Sequence, residues 1–142
     1  MIEDKHLISP TLAKLLRELI KRKKVEKKEE KTVITLGWCS AVCWLIALSY
    51  IIFGVGSEHT SIVSRTTESE LGPLLIVIGL GATAMLTVYR KRYDEAEKDY
   101  KSLRNQVIER YDEFWGDEEL KSMRYDVYDW LEKEHGVNLF YR

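Results

Sequence analysis

The chain has 142 residues, 32% of them charged, with 22 Lys and Arg against 23 Asp and Glu and a formal net charge of −1. That length allows one domain at most and excludes a multidomain enzyme. The near-zero balance hides a segregation: residues 1–31 are net +4, residues 56–70 net −2 and residues 90–142 net −3, while 32–57 and 71–89 carry no charge.

The first segment, 1–31, is read as a cytosolic, basic, amphipathic helix. Ser9-Pro10 marks its start, with Ser9 as N-cap and Pro10 in the first helical position. Leu12, Leu15, Leu16, Leu19 and Ile20 follow at helical spacing and make one apolar stripe. Lys14, Arg17 and the basic run 21–24 accompany it. Such a helix either lies in a membrane interface or packs its leucines on the protein's own cytosolic helices. Neither alternative needs a residue that the other lacks. The charge run KRKKVEKKEEK at 21–31 is a solvated helix or a linker. Beside an apolar span its simplest consequence is attraction to anionic lipid head groups. Its interspersed glutamates argue against a nucleic-acid patch. The basic region is too long and the next apolar run too extended for a secretory signal peptide. The first span is therefore expected to stay in the mature protein.

Thr32 to Ser57 runs 26 residues without a charge. An apolar window of about 18 or more is the signature of a transmembrane helix, and 32–56 is assigned as the first span. Trp38, Tyr50 and Phe53 suit interfacial aromatic belts. Gly37 with Ala41, and Ser40 with Ala47, offer small-residue faces to a neighbouring helix. Cys39 and Cys43 are four apart on one helical face, which does not favour a bridge between them. They are read as small apolar residues at a packing face.

Residues 57–70 make a polar connector, assigned to the outside of the cell. His59 and Glu58 lie there, too few for a metal site. The second span is 71–89, with Pro73 tolerated in its first turn. Gly79-x-x-x-Thr83 is a small-xxx-small pair that allows close backbone approach. It serves either packing on the first span or contact with a second copy. Neither span holds an Asp, Glu, Lys, Arg or His, which argues against a proton-coupled transporter. Basic residues flank the two spans on one side, at 21–31 and 90–92. The positive-inside rule then puts the protein in the cell membrane as a multi-pass chain with both termini cytosolic.

In 90–142, no Gly or Pro interrupts the chain until Gly116. Tyr89, Tyr93, Ala96, Tyr100, Leu103, Val107, Tyr111 and Phe114 recur close to a heptad seam. The second span is thus expected to continue as one helix to about Trp115. Tyr93, Tyr100, Leu103, Val107, Tyr111 and Phe114 form its cytosolic packing stripe. Gly116 reads as a C-cap, and Asp117 can cap a further helix whose apolar face is Leu120, Met123, Val127, Trp130 and Leu131. Gly136 ends that helix. The tail VNLFYR is either extended or folded back on the two helices.

The expected fold is all-α: a two-helix transmembrane hairpin whose long second helix continues into a cytosolic helical hairpin. There is no Gly-rich phosphate loop, no Ser/His/Asp grouping and no zinc spacing. The expectation is no enzyme, no catalytic residue, no cofactor and no metal. The expected partners are the lipid bilayer and, through the cytosolic helices, a second copy or a protein partner, but no nucleic acid. The leading function is a non-enzymatic interaction or scaffold protein of the membrane. The alternative is an oligomeric pore or channel.

The stretches DEAEKDYKSLRNQVIERYDEFW and EKEHGVNLFYR, with Leu-Leu-x-x-Leu-Ile-Lys-Arg-Lys-Lys ahead of the first span, resemble the YpbF-like family of small two-span bacterial membrane proteins of unknown function. The resemblance implies a membrane location. It carries no activity, cofactor or site residue onto any position.

Overall fold

A computed structural model describes residues 9–53, 70–116 and 118–140. His59 with nearly all of the 57–70 connector, and the Asp117 cap, lie outside the described residues, as do the side chains of Tyr111 and Leu120. Among the described residues the chain is helical, with no strand. Helix α1 is Pro10–Phe53, 44 residues, and α2 is Leu71–Glu109, 39 residues. The short α3 is Tyr111–Phe114 and α4 is Glu118–His135. Both α1 and α2 are long and apolar enough to cross a membrane.

Helix α1 begins as its cap chemistry dictates. Ser9 Oγ accepts from the Leu12 N–H at 3.4 Å, and its carbonyl accepts from Ala13 at 3.0 Å. The charge run 21–31 is neither linker nor helix end; it is helix interior. Lys, Arg and Glu are good helix formers. They also pair along the helix, Arg22 with Glu18 at 3.4 Å and, largely buried, Lys23 with Glu26 at 2.6 Å, at the spacings that bring helical neighbours together.

Helix α2 ends earlier than the seam alone suggests. It stops at Glu109, turns at Arg110 and resumes for the single turn of α3. Phe114 and Trp115 are both buried. A continuous helix would hold adjacent side chains about 100° apart, so only one could follow the stripe. The turn at Arg110 and the bend at Trp115 bring both into the core. Arg110 braces the turn, pairing with Glu113 through two hydrogen bonds.

The chain forms two compact units, one drawn from Met1–Lys28 and Tyr93–Arg142, the other from Glu29–Arg92. The first has a closed apolar core. Leu12, Leu16 and Leu19 of α1 meet Tyr100, Leu103 and Val107 of α2, Phe114 and Trp115, Val127, Tyr128 and Leu131 of α4, and Val137 and Leu139 of the tail. Of the two alternatives open for the leucine stripe, the structure takes packing on the protein's own helices. Burying a large apolar side chain contributes about 1.5–3 kcal/mol, and Leu12, Leu16, Leu19, Val107, Trp115, Leu131 and Val137 are fully buried here.

The tail folds back. Gly136, at φ 65, takes the left-handed conformation that L side chains avoid. Its N–H reaches the Glu132 carbonyl at 2.9 Å and the Val137 N–H reaches Leu131 at 3.0 Å. Val137 and Leu139 then enter the core. Arg104 Nε holds the returning tail by donating to the Asn138 carbonyl at 2.6 Å.

The second unit buries little. Its buried residues, among those described, are Ser40, Ala47, Gly72 and Gly79, all small. Large apolar side chains face outward instead: Trp38 is 71% exposed, Leu45 63% and Val77 65%.

Candidate functional site

Two places bring together the residues singled out by pattern. The first is the contact around Gly79 and Thr83 in the 29–92 unit. A Cβ on Gly79 would stand 3.3 Å from the indole of Trp44. Trp44 Nε1 donates to Thr83 Oγ1 at 3.1 Å, and Thr83 Oγ1 donates in turn to the Gly79 carbonyl at 2.9 Å. The small pair therefore serves as the seat for one large side chain of the same chain. Trp44 is the functional partner that sequence reasoning missed. The signal was present: Ser40, Trp44 and Ala47 are spaced four and three, so one bulky ring sits on an otherwise small face opposite a glycine. The other small face has no such partner, since nothing lies within 4 Å of a Cβ at Gly37. Cys39 is exposed, Cys43 half-buried, and both are free thiols.

The second place is the surface around the stripe from Tyr93 to Phe114. Tyr100, Leu103, Val107 and Phe114 are brought into one core, while Tyr93 is half-buried. Tyr111 falls in α3, its side chain undescribed. Tyr100 is gripped from outside by Lys23, whose ammonium stands 4.5 Å from the ring centroid. Burial raises the phenol above its ordinary pKa of 10.0, opposed by the charge of Arg104 and reinforced by Glu26. The phenol thus stays neutral at the edge of the core. On the exposed face, hydrogen bonding to Glu97 raises Lys101, and hydrogen bonding to Arg110 lowers Glu113. These are exposed ion pairs, which stabilise little.

Two depressions mark this unit. One, about 290 Å³, lies between α1 and α2 and is lined by Glu18, Lys21, Arg22, Val25, Ala96 and Asp99. Arg22 crosses its floor to the Asp99 carbonyl at 3.1 Å. The other, about 380 Å³, is lined by Ile108, Arg124, Tyr125, Tyr128, Leu139 and Phe140. Phe140 stacks on Tyr125 and meets Tyr128 edge-on, with centroids 6.2 and 5.5 Å apart. Trp115, fully buried, meets Tyr128 edge-on at 5.9 Å, and its Nε1–H finds no acceptor among the described residues. No group of three or more His, Cys, Asp or Glu among the described residues is arranged to hold a metal ion.

The protein is thus an all-helical chain with two long apolar helices and a separate packed helical unit. Residues 15–142 match the family described as "Protein of unknown function (DUF2663)", and the chain belongs to that family. No curated protein and no solved structure matched the chain. The family match carries no activity and no site residue.

Proposed function

We propose that the protein is a two-pass integral membrane protein, not an enzyme, that holds a small helical unit at the cytosolic face for contact with protein. In this reading 32–56 and 71–89 cross the bilayer as a hairpin, 57–70 is outside and both termini are inside. The observation that carries it is the contrast between the two units. In the apolar windows of α1 and α2 only 11% of residues are buried, while the unit built from 93–142 and the N-terminal leucines closes a core. Apolar surface left open at that scale needs a solvent other than water. The lack of any charged residue in 32–57 and 71–89 and the basic flanks at 21–31 and 90–92 support the orientation. The oligomeric pore has no observation in its favour, since the Gly79–Thr83 face meets Trp44 of the same chain.

The test is topology in intact cells. Single cysteines are placed at Ser64 and Ser102 in a chain lacking Cys39 and Cys43, then exposed to an impermeant thiol reagent. Labelling at Ser64 and protection at Ser102 is expected. Labelling at Ser102 with protection at Ser64 would reverse the assignment. Release of the chain from membranes by alkaline carbonate would remove the membrane reading altogether.

A further inference from the structure

The helices of the packed unit divide its charge. Residues 10–28 of α1 are net +6 and residues 93–109 of α2 net −2. The positive charge is ordered. Lys14, Arg17, Lys21, Lys24 and Lys28 are all exposed and recur at spacings of three and four, one unbroken stripe on a single face of α1. The negative face is ordered in the same way. Glu95, Asp99, Ser102, Gln106 and Glu109 of α2 are all exposed, spaced four and three, with no base among them. Between the two stripes runs the groove of about 290 Å³, with Lys21 on one wall and Asp99 on the other. At its floor are Val25, still 46% exposed, and the half-buried Ala96. The leucines of α1 and the whole of α4 leave this part uncovered.

We propose that a second copy of this chain docks along this groove, the basic stripe of each copy against the acidic stripe of the other. The proposal rests on the membrane reading above and deepens it by naming the partner. Two features of the surface select a second copy. The first is sign: the α1 wall carries Lys21 and Arg22 beside Glu18, a net base, and the α2 wall carries Asp99. A twofold axis along the groove sets the α1 wall of each copy against the α2 wall of its partner, so base meets acid on both sides and the assembly closes. The second is level. With the two spans as a hairpin, residue numbers fall along α2 as they rise along α1. Arg22 at Asp99 then puts Lys14 within a turn of Glu109 and Lys24 within a turn of Asp99 and Glu95. Copies anchored alike in one bilayer are held at the same height, so the stripes of neighbours meet in register without sliding. Membrane confinement also raises the effective concentration of the partner. An anionic membrane offers nothing to the acidic wall.

The experiment uses the full chain in neutral detergent and in zwitterionic vesicles, with mass read by light scattering and by in-membrane crosslinking. Wild type is expected to dimerise at low ionic strength and to dissociate in high salt. The triple variant Lys14→Glu/Lys21→Glu/Lys24→Glu is expected to weaken the dimer about tenfold or more, and Glu95→Lys/Asp99→Lys/Glu109→Lys likewise. Combining the two sets exchanges the walls and should restore the dimer. All six side chains are exposed, and a circular dichroism melt checks that each variant folds. If one triple variant does not fold, the other and the salt titration decide. A wild type that stays monomeric, a dimer indifferent to salt, or a combined variant that fails to recover while folded would overturn the proposal. So would a charge-reversed α1 that keeps its dimer but loses binding to phosphatidylglycerol vesicles, because the stripe would then serve lipid. Release of wild type from vesicles by carbonate instead sinks the membrane reading, and is distinguished by that fractionation alone.

Discussion

The indole of Trp44 lies against the bare backbone of Gly79, close enough that a Cβ there would stand 3.3 Å from the ring. Gly79→Leu should therefore drive Trp44 off its seat and break the hydrogen bond to Thr83. Overpacking of this kind costs about 1–3 kcal/mol. Gly81→Leu is the matched control, since nothing lies within 4 Å of its Cβ. Thermal unfolding in detergent should separate the two variants, and equal midpoints would show that the Trp44 contact contributes nothing.

Leu103 is buried in the packed unit, in a core shared by α1, α2, Phe114 and Trp115, α4 and the tail. Leu103→Asp puts an unpaired carboxylate there and should unfold 93–140 while both spans stay inserted. Leu16→Ala is gentler and should cost about 2–5 kcal/mol through the cavity it leaves. Limited proteolysis reads both. Wild-type resistance between 93 and 135 in Leu103→Asp would mean that the stripe is not a packed core.

Gly136 is constrained twice. Its φ of 65 disfavours any side chain, and a Cβ would come within 2.6 Å of Lys27 Nζ. The lysine end can swing away, so the left-handed backbone opposes a side chain more strongly than the contact does. Gly136→Ala should destabilise the unit by about 1–2 kcal/mol. Lys27→Ala in the same chain should recover only a small part, which a double-mutant denaturation series would measure.

Tyr100 gives the unit an alkaline limit. Its pKa is raised in the folded state, first by burial, so the native form holds the proton more tightly than the unfolded chain does. That contribution is fully present below the ordinary value of 10.0 and is lost as pH rises through the raised folded value. The unfolding midpoint should therefore fall above about pH 10, and Tyr100→Phe should flatten that fall. An identical alkaline slope in Tyr100→Phe would place the titration elsewhere.

Trp115 buries an indole N–H with no acceptor among the described residues. An unmade hydrogen bond costs about 1–3 kcal/mol, so Trp115→Phe should lose less than its missing volume implies. Trp115→Ala should cost about 3–5 kcal/mol. Chemical denaturation of the two variants side by side checks the difference.

Much of this architecture was legible in residue order, and the gaps have physical causes. Ser9-Pro10 located the start of α1, because caps are local. The seam Tyr100–Leu103–Val107 was readable because a helix repeats its face every three to four residues. The partner of the N-terminal leucines was not readable. Packing on protein and lying on lipid demand the same apolar stripe, and only tertiary structure distinguishes them. The break at Arg110 escaped because nothing at that residue forbids a helix; the demand comes from Phe114 and Trp115 further on. Trp44 escaped because its meaning depends on a glycine across the helix pair. The direction of the tail was open because Val137 and Leu139 alternate as readily in an extended end as in a returned one.

The core of the packed unit joins Leu12, near one end of the described chain, to Leu139, near the other. Contacts so distant along the chain cannot form until Leu139 has been synthesised. During translation the leucines of α1 emerge first and wait, uncovered, while both apolar spans are made. A chain broken off before Val137 would leave them without their last cover. Without that cover the leucine face of α1 stays exposed beside its lysine face, an apolar surface of the kind that chaperones and proteases respond to.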